Sequence, residues 1–295
     1  MEVCLKKKEN LNKMKEETTI HKILHFYITR IILGLLVCFI AFILAQVVGR
    51  ILEWTSLDKN FRNLLKGAIA SAAVIYAYIF FFRQSEKRKI SEFSSKGATE
   101  YIITGTAIGI ALQSLTIGVM VITGDFTIIS VNPISSMIIP FTIAFSVAIF
   151  EEILVRGIIL RILEERFGSN IALVISAVIF GALHLFNADS TWISALYVGI
   201  EGGLLMGAAY LYSRNLWFPI SIHFAWNFMQ SGIFGAITSG NEQAGSLFTT
   251  QISGNHWITG GPFGPEGSIQ AVIICFLGAL LLLQLGKKKM IILKW

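Results

Sequence analysis

Six ionisable side chains stand inside stretches of sequence that are otherwise apolar: Glu151, Glu152, Arg156, His184, Glu201 and His223, with Asn227 as a polar neighbour. In hydrocarbon each costs at least about 2.5–3.5 kcal/mol on insertion scales, so such groups face a partner or a water-filled cavity. Their spacing separates their roles. Glu152 and Arg156 stand at i,i+4 with the acid first, the favoured order for a helical ion pair, and pairing lets both stay charged away from water. Glu151 points about 100° away from Glu152 on a helix and is left free to face another element. His223 and Asn227 share a helical face at i,i+4, and Phe180 and His184 repeat the spacing. A buried carboxylate beside an imidazole can take a proton from water. A second imidazole with an amide can donate hydrogen bonds to the oxyanion of a tetrahedral intermediate. No serine or cysteine stands out as a nucleophile by motif, so the chemistry that fits is amide hydrolysis by activated water.

Helices in lipid must position these groups. Of 295 residues 54% are hydrophobic and 14% charged, and the mean hydropathy is +0.69; a soluble domain carries about 25% charged residues. Eight apolar segments, about 28–49, 67–82, 101–123, 137–158, 170–188, 194–213, 217–235 and 268–286, suit membrane spans of roughly 20 residues. The expected fold is an all-α integral membrane protein with both termini cytoplasmic. The fourth segment continues as helix through "RILEERF" to a tight turn at "RFGSN", where Gly168 can cap one helix and Ser169 or Asn170 the next. Counted from a turn centre between Phe167 and Gly168, Glu151 lies 16.5 residues before and His184 16.5 after. An antiparallel helical pair then places both about 25 Å from the turn. If the charged "EER" end protrudes into the cytoplasm, the site lies below that surface and opens to it.

Charge supports the orientation. With the N terminus inside, all but five of the 24 lysines and arginines fall on cytoplasmic segments, the positive-inside pattern. The exceptions are Arg50, Lys59, Arg62 and Lys66 outside, and Arg156 within the membrane. The same asymmetry accounts for a net charge of +6 without a nucleic-acid partner, because basic residues beside anionic lipid reflect topology. No cleavable signal peptide is apparent, and Cys4, Cys38 and Cys275 have no metal or redox spacing and read as small apolar filler. The chain divides into a basic cytoplasmic leader (1–27), scaffold spans with a charged loop (28–96), a catalytic core (97–235), a mobile extracytoplasmic loop (236–267), and a last span with a basic tail (268–295). Gly199, Gly202, Gly203 and Gly207 suit close helix packing. Trp217, Trp226 and Trp257 suit interfaces or packing. His21, His25 and His256 read as solvated, and Glu201 faces the cavity, a neighbouring helix or the interface.

"EEILVR", "FGALH" and "HFAWN" resemble the three motifs, Glu-Glu-x3-Arg, Phe-x3-His and His-x3-Asn, of the CAAX prenyl protease and bacteriocin-processing (CPBP, or Abi) family of intramembrane endopeptidases, which includes the type II CAAX prenyl proteases. The resemblance spans about residues 137–228. It implies an eight-helix, multi-pass peptidase of the plasma membrane in which Glu151 with His184 activates water and His223 with Asn227 stabilises the oxyanion. Glu152, Arg156 and Phe180 would support that site. The implied substrate is a peptide or a lipid-modified protein, with roles in peptide maturation or bacteriocin self-immunity; nothing in the motifs selects a prenyl group. The family has been described both as glutamate proteases and as metalloproteases. On the first description no cofactor is required. On the second zinc would sit on Glu151, His184 and His223, although no HExxH motif is present.

Two other classes compete. A proton-coupled transporter also uses intramembrane Glu, Arg and His, but the sequence shows no inverted repeat and no matched pair of broken helices. A non-catalytic scaffold or immunity protein would keep the fold, yet it has no need of six ionisable groups in lipid.

Overall fold

The computed structural model describes residues 26–241 and 243–288. The leader with His21 and His25, and Cys4, therefore lie outside the described residues. Each of the eight apolar segments is helical. Helix α1 spans Tyr27–Arg50, α2 Lys59–Ser85 and α3 Ala98–Thr123. Then come α4 (Ile138–Glu152) and α5 (Arg161–Leu183), joined by a π-helical stretch, Ile153–Leu160. α6 (Trp192–Val198) and α7 (Leu205–Ser213) are likewise joined through π-helical Gly199–Leu204. α8 (Trp217–Asn227) ends in π-helical Phe228–Ile233, and the last long helix, α10 (Ile269–Lys288), follows a short α9 (His256–Thr259).

Among the described residues six helical units are long and apolar enough to cross a membrane. The longest, Ile134–Phe186, runs for 53 residues and is broken at Gly168, whose φ of 76° and ψ of 167° no helix contains. The Arg156 guanidinium lies 4.6 Å from the centre of the Phe180 ring, so the unit folds back on itself as the hairpin the sequence implies. The second apolar segment gains its missing length at its N-terminal side, starting at Lys59 where Asp58 caps the helix by accepting from Asn60 N–H at 2.8 Å.

Outer helices turn large apolar side chains outward and small ones inward. α1 exposes Leu36, Ile40, Ile43 and Leu44 and buries Gly34, Cys38, Ala45 and Gly49. α3 exposes Ile103, Leu115 and Ile122 while Gly105 and Gly109 press against the Phe218 and Ile222 carbonyls of α8. Small residues four apart permit this approach, and van der Waals contact then holds helices together where lipid removes the hydrophobic drive. α4 lies inside the bundle, between α2 and α8.

The fold is all-α apart from one short ribbon: strands β1 (Phe126–Val131) and β2 (Phe248–Ile252) pair antiparallel, with Phe126 opposite Ile252. That pairing joins the 236–267 loop to the segment after α3, and the loop's Phe263 and Glu266 are buried. In the "EER" end Glu165 and Arg166 are exposed. Glu164 is buried, accepts from Arg214 Nη2 at 2.8 Å and is bonded by the Ser169 hydroxyl. Glu165 accepts from Arg30 at 2.7 Å and Arg161 at 2.9 Å.

These pairs belong to a network at one end of the bundle. Glu86 binds Arg30 at 2.6 Å and Arg161 at 3.0 Å, and Glu92 binds Arg88 at 2.6 Å. Burial alone would raise both carboxyls, but the guanidiniums of Arg161 and Arg88 beside Glu86, and of Arg88 and Arg161 beside Glu92, hold them below the usual carboxylate range. A folded-state pKa below the unfolded value of about 4.3 gives stability that is full above that pH and lost as pH falls through the folded value. The melting temperature in detergent is therefore expected to drop steeply below about pH 4. A Glu92→Gln variant should show a shallower acid-limb slope, and an unchanged slope would remove Glu92 from this role.

Candidate functional site

The chain reverses at Gly168 and brings the far ends of α4 and α5 to one cavity, lined by Glu151 from the first and by His184, which follows the second. Glu151 and Glu152 are the last residues of α4 before its helix widens into π geometry. Arg156 and Glu152 are both fully buried and pair at 2.8 Å. Arg156 Nη2 donates to the Gly202 carbonyl at 2.5 Å and the Gly203 carbonyl at 3.2 Å, and its planar face covers Phe180. One guanidinium thus joins α4, α5 and the π-helical segment that follows α6. A Cβ at Gly202 would run into the Phe180 ring, which explains the glycine.

His223, the seventh residue of α8, reaches the same acid. Its Nδ1 lies 2.9 Å from Glu152 Oε1; a carboxylate only accepts, so Nδ1 carries the proton. This fixes the ring with Nε2 toward Glu151 Oε2, 3.9 Å away. Glu152 therefore holds two partners, where the i,i+4 spacing had named only Arg156. The third ring, His184, sits in the single 3-10 turn closing α5. Its Nδ1 is 2.9 Å from the Phe180 carbonyl, so Nδ1–H donates and the Nε2 lone pair is left free.

Glu151, His184, His223 and Asn227 all line one cavity of about 400 Å³. Among the described residues no hydrogen bond joins Glu151 to His184, and the ring nearest Glu151 is His223. The equal residue count of 16.5 assumed uniform α-helix. The π-helical Ile153–Leu160 departs from that geometry in the arm that carries Glu151.

The cavity opens at the end of the bundle opposite the ion network. α8 starts at that network, with Leu216 N–H donating to the Glu92 carbonyl at 2.7 Å. It ends beside the loop that walls the cavity through Thr238, Ser239 and Asn241. The expected cytoplasmic opening is corrected accordingly: the mouth faces away from the basic end.

Glu201 is 4% exposed, within π-helical Gly199–Leu204, and lines the cavity. That burial rules out an interfacial position. Glu266, which no motif in the sequence marks, lines it too at 5% exposure. Burial raises the Glu266 carboxyl above the usual range, against hydrogen bonds from Ser239. It escaped notice because it lies in a glycine-rich loop with no helical spacing to aim it.

The Glu151, His184 and His223 set does not fit zinc as it stands, since among the described residues no three His, Cys, Asp or Glu side chains group closely enough to hold a metal ion. Cys38 and Cys275 are buried free thiols.

Residues 133–229 match the family model described as Rce1-like, type II CAAX prenyl endopeptidase. No curated protein and no solved structure matches the chain. The matched segment contains the paired acids, Arg156, Phe180, both histidines of the cavity and Asn227. Over residues 133–229 the chain is thus similar to the Rce1-like type II CAAX prenyl endopeptidases, a family of membrane proteases.

Proposed function

We propose that this chain is an intramembrane endopeptidase that hydrolyses a peptide bond with water activated by Glu151 and His184. The observation that carries the reading is Glu152, which accepts from Arg156 and His223 at once and so sets the imidazole beside Glu151 at the cavity wall. Two carboxylates, Glu151 and Glu152, stand against one guanidinium, and a proton on His223 Nε2 balances the set. Glu151, its side chain 29% exposed, is open to the cavity that would hold the water.

In the reaction a water oxygen attacks the scissile carbonyl carbon while its proton passes to Glu151, with His184 Nε2 orienting the other hydrogen. The carbonyl oxygen becomes an oxyanion and receives hydrogen bonds from His223 Nε2–H and the Asn227 amide. Collapse breaks the C–N bond, and the proton held by Glu151 goes to the leaving amine. No covalent acyl-enzyme forms. The substrate is a peptide or a lipid-modified protein, and its scissile segment enters from the loop end. On the positive-inside orientation that is the extracytoplasmic side of a multi-pass plasma-membrane protein. Maturation of an exported peptide or bacteriocin self-immunity suits such a mouth.

The test is cleavage of quenched peptides, prenylated and unmodified, by protein in liposomes, with hydroxylamine added. Free acid as the only acyl product is the expected result. Hydroxamate would reveal an acyl-enzyme and overturn the activated-water mechanism, and absence of cleavage for both peptide classes would overturn the peptidase reading.

A further inference from the structure

Beyond the four residues of the proposed reaction, the cavity holds a second pair of acids. Glu201 comes from the π-helical segment after α6 and Glu266 from the turn Pro265–Gly267 that precedes α10. Both are more than nine-tenths buried, and both line the cavity wall. Each presents a buried Oε1 with no hydrogen-bond partner. A buried acceptor left unpaired costs about 1–3 kcal/mol, more when it is charged, so two on one wall call for a donor from outside the chain. Among the described residues neither a lysine nor an arginine lines the cavity, and its only basic groups are His184 and His223.

We propose that Glu201 and Glu266 form a substrate subsite that takes the ammonium or guanidinium of a lysine or arginine side chain. The inference rests on the peptidase reading and names the substrate class for the same cavity. A lysine head brings three donors and an arginine five, enough for both open oxygens. Leu205, Met206 and Cys275 stand in the same wall, apolar surface along which the methylene stem of a long basic side chain packs. The subsite shares its cavity with Glu151, so the basic residue would sit close to the scissile bond.

The test measures binding apart from turnover. Protein carrying Glu151→Gln, in nanodiscs, is titrated with a fluorescent apolar peptide bearing one lysine at successive positions, and with the matching norleucine peptides. At one position lysine is expected to bind about tenfold tighter or more than norleucine, and adding Glu201→Gln or Glu266→Gln should bring the ratio close to one. Thermal unfolding of each variant shows whether it is folded, and either folded variant suffices. Equal affinity at every position overturns the subsite. So does a lysine preference that survives both substitutions, or one matched by a magnesium or calcium ion that displaces the peptide. A clear lysine preference in a protein that cleaves no peptide would leave the subsite standing and refute the peptidase.

Discussion

Replacing Glu152 by leucine is expected to destabilise the protein by about 3–5 kcal/mol, whereas the double change Glu152→Leu with Arg156→Met should restore most of that loss. The asymmetry follows from burial. Both partners are fully buried at 2.8 Å, so removing the acid strands a guanidinium without a counter-charge. The Gly202 and Gly203 carbonyls and the Phe180 face still hold its donors but supply no negative charge. Removing both charges leaves two apolar side chains of similar bulk in an apolar bundle, which is often neutral. Activity should not follow stability. In either variant His223 Nδ1 loses the acceptor at 2.9 Å that aims its ring, so the restored double variant should stay inactive. Thermal unfolding in mild detergent, read beside peptide turnover, tests both halves. An unchanged melting temperature in Glu152→Leu would mean the buried pair holds nothing, and an active double variant would mean His223 needs no anchor.

Local spacing carried much of this site into the sequence. The Glu152–Arg156 pair and the shared face of His223 and Asn227 depend on helical period alone, and the hairpin depends on one glycine that alone tolerates φ 76° there. The bond from His223 to Glu152 was not legible, because it joins residues 71 apart whose meeting depends on how α8 packs against α4. The three π-helical stretches, after Glu152, around Glu201 and after Asn227, also escaped, since no residue type marks a π turn. Such turns occur often at functional sites, and here two of the three carry a polar residue of the cavity wall, Glu201 and Ser231. The burial of Phe263 and Glu266 hid behind the Gly, Ser and Thr content of their loop, because the pairing with β1 that positions it is long-range. The ion network escaped for another reason. Each arginine was read as a marker of membrane side, and the pairs that tie the network across the bundle, Arg30 with Glu86 and Glu165, Arg161 with Glu86 and Arg214 with Glu164, join residues far apart in the chain.

Glu151→Gln should lower kcat by about a thousandfold, with KM little changed, because the amide keeps the shape of the acid but cannot accept a proton from water. His184→Ala should cost about a hundredfold to ten-thousandfold on the same ground, and Asn227→Ala about a hundredfold to a thousandfold as the loss of one oxyanion donor. These sizes separate the peptidase from its rivals: a scaffold would keep its function in Glu151→Gln, and a proton-coupled carrier would show flux without cleavage. The double variant decides between one unit and two. If Glu151 and His184 act on a single water, the acid taking its proton and the free Nε2 orienting it, then losing either already forfeits activation, and the double should fall no further than the weaker single. Losses that multiply would assign the two groups to separate steps. That outcome would give the water to Glu151 with His223, whose Nε2 is 3.9 Å from the acid, and His184 to the leaving amine.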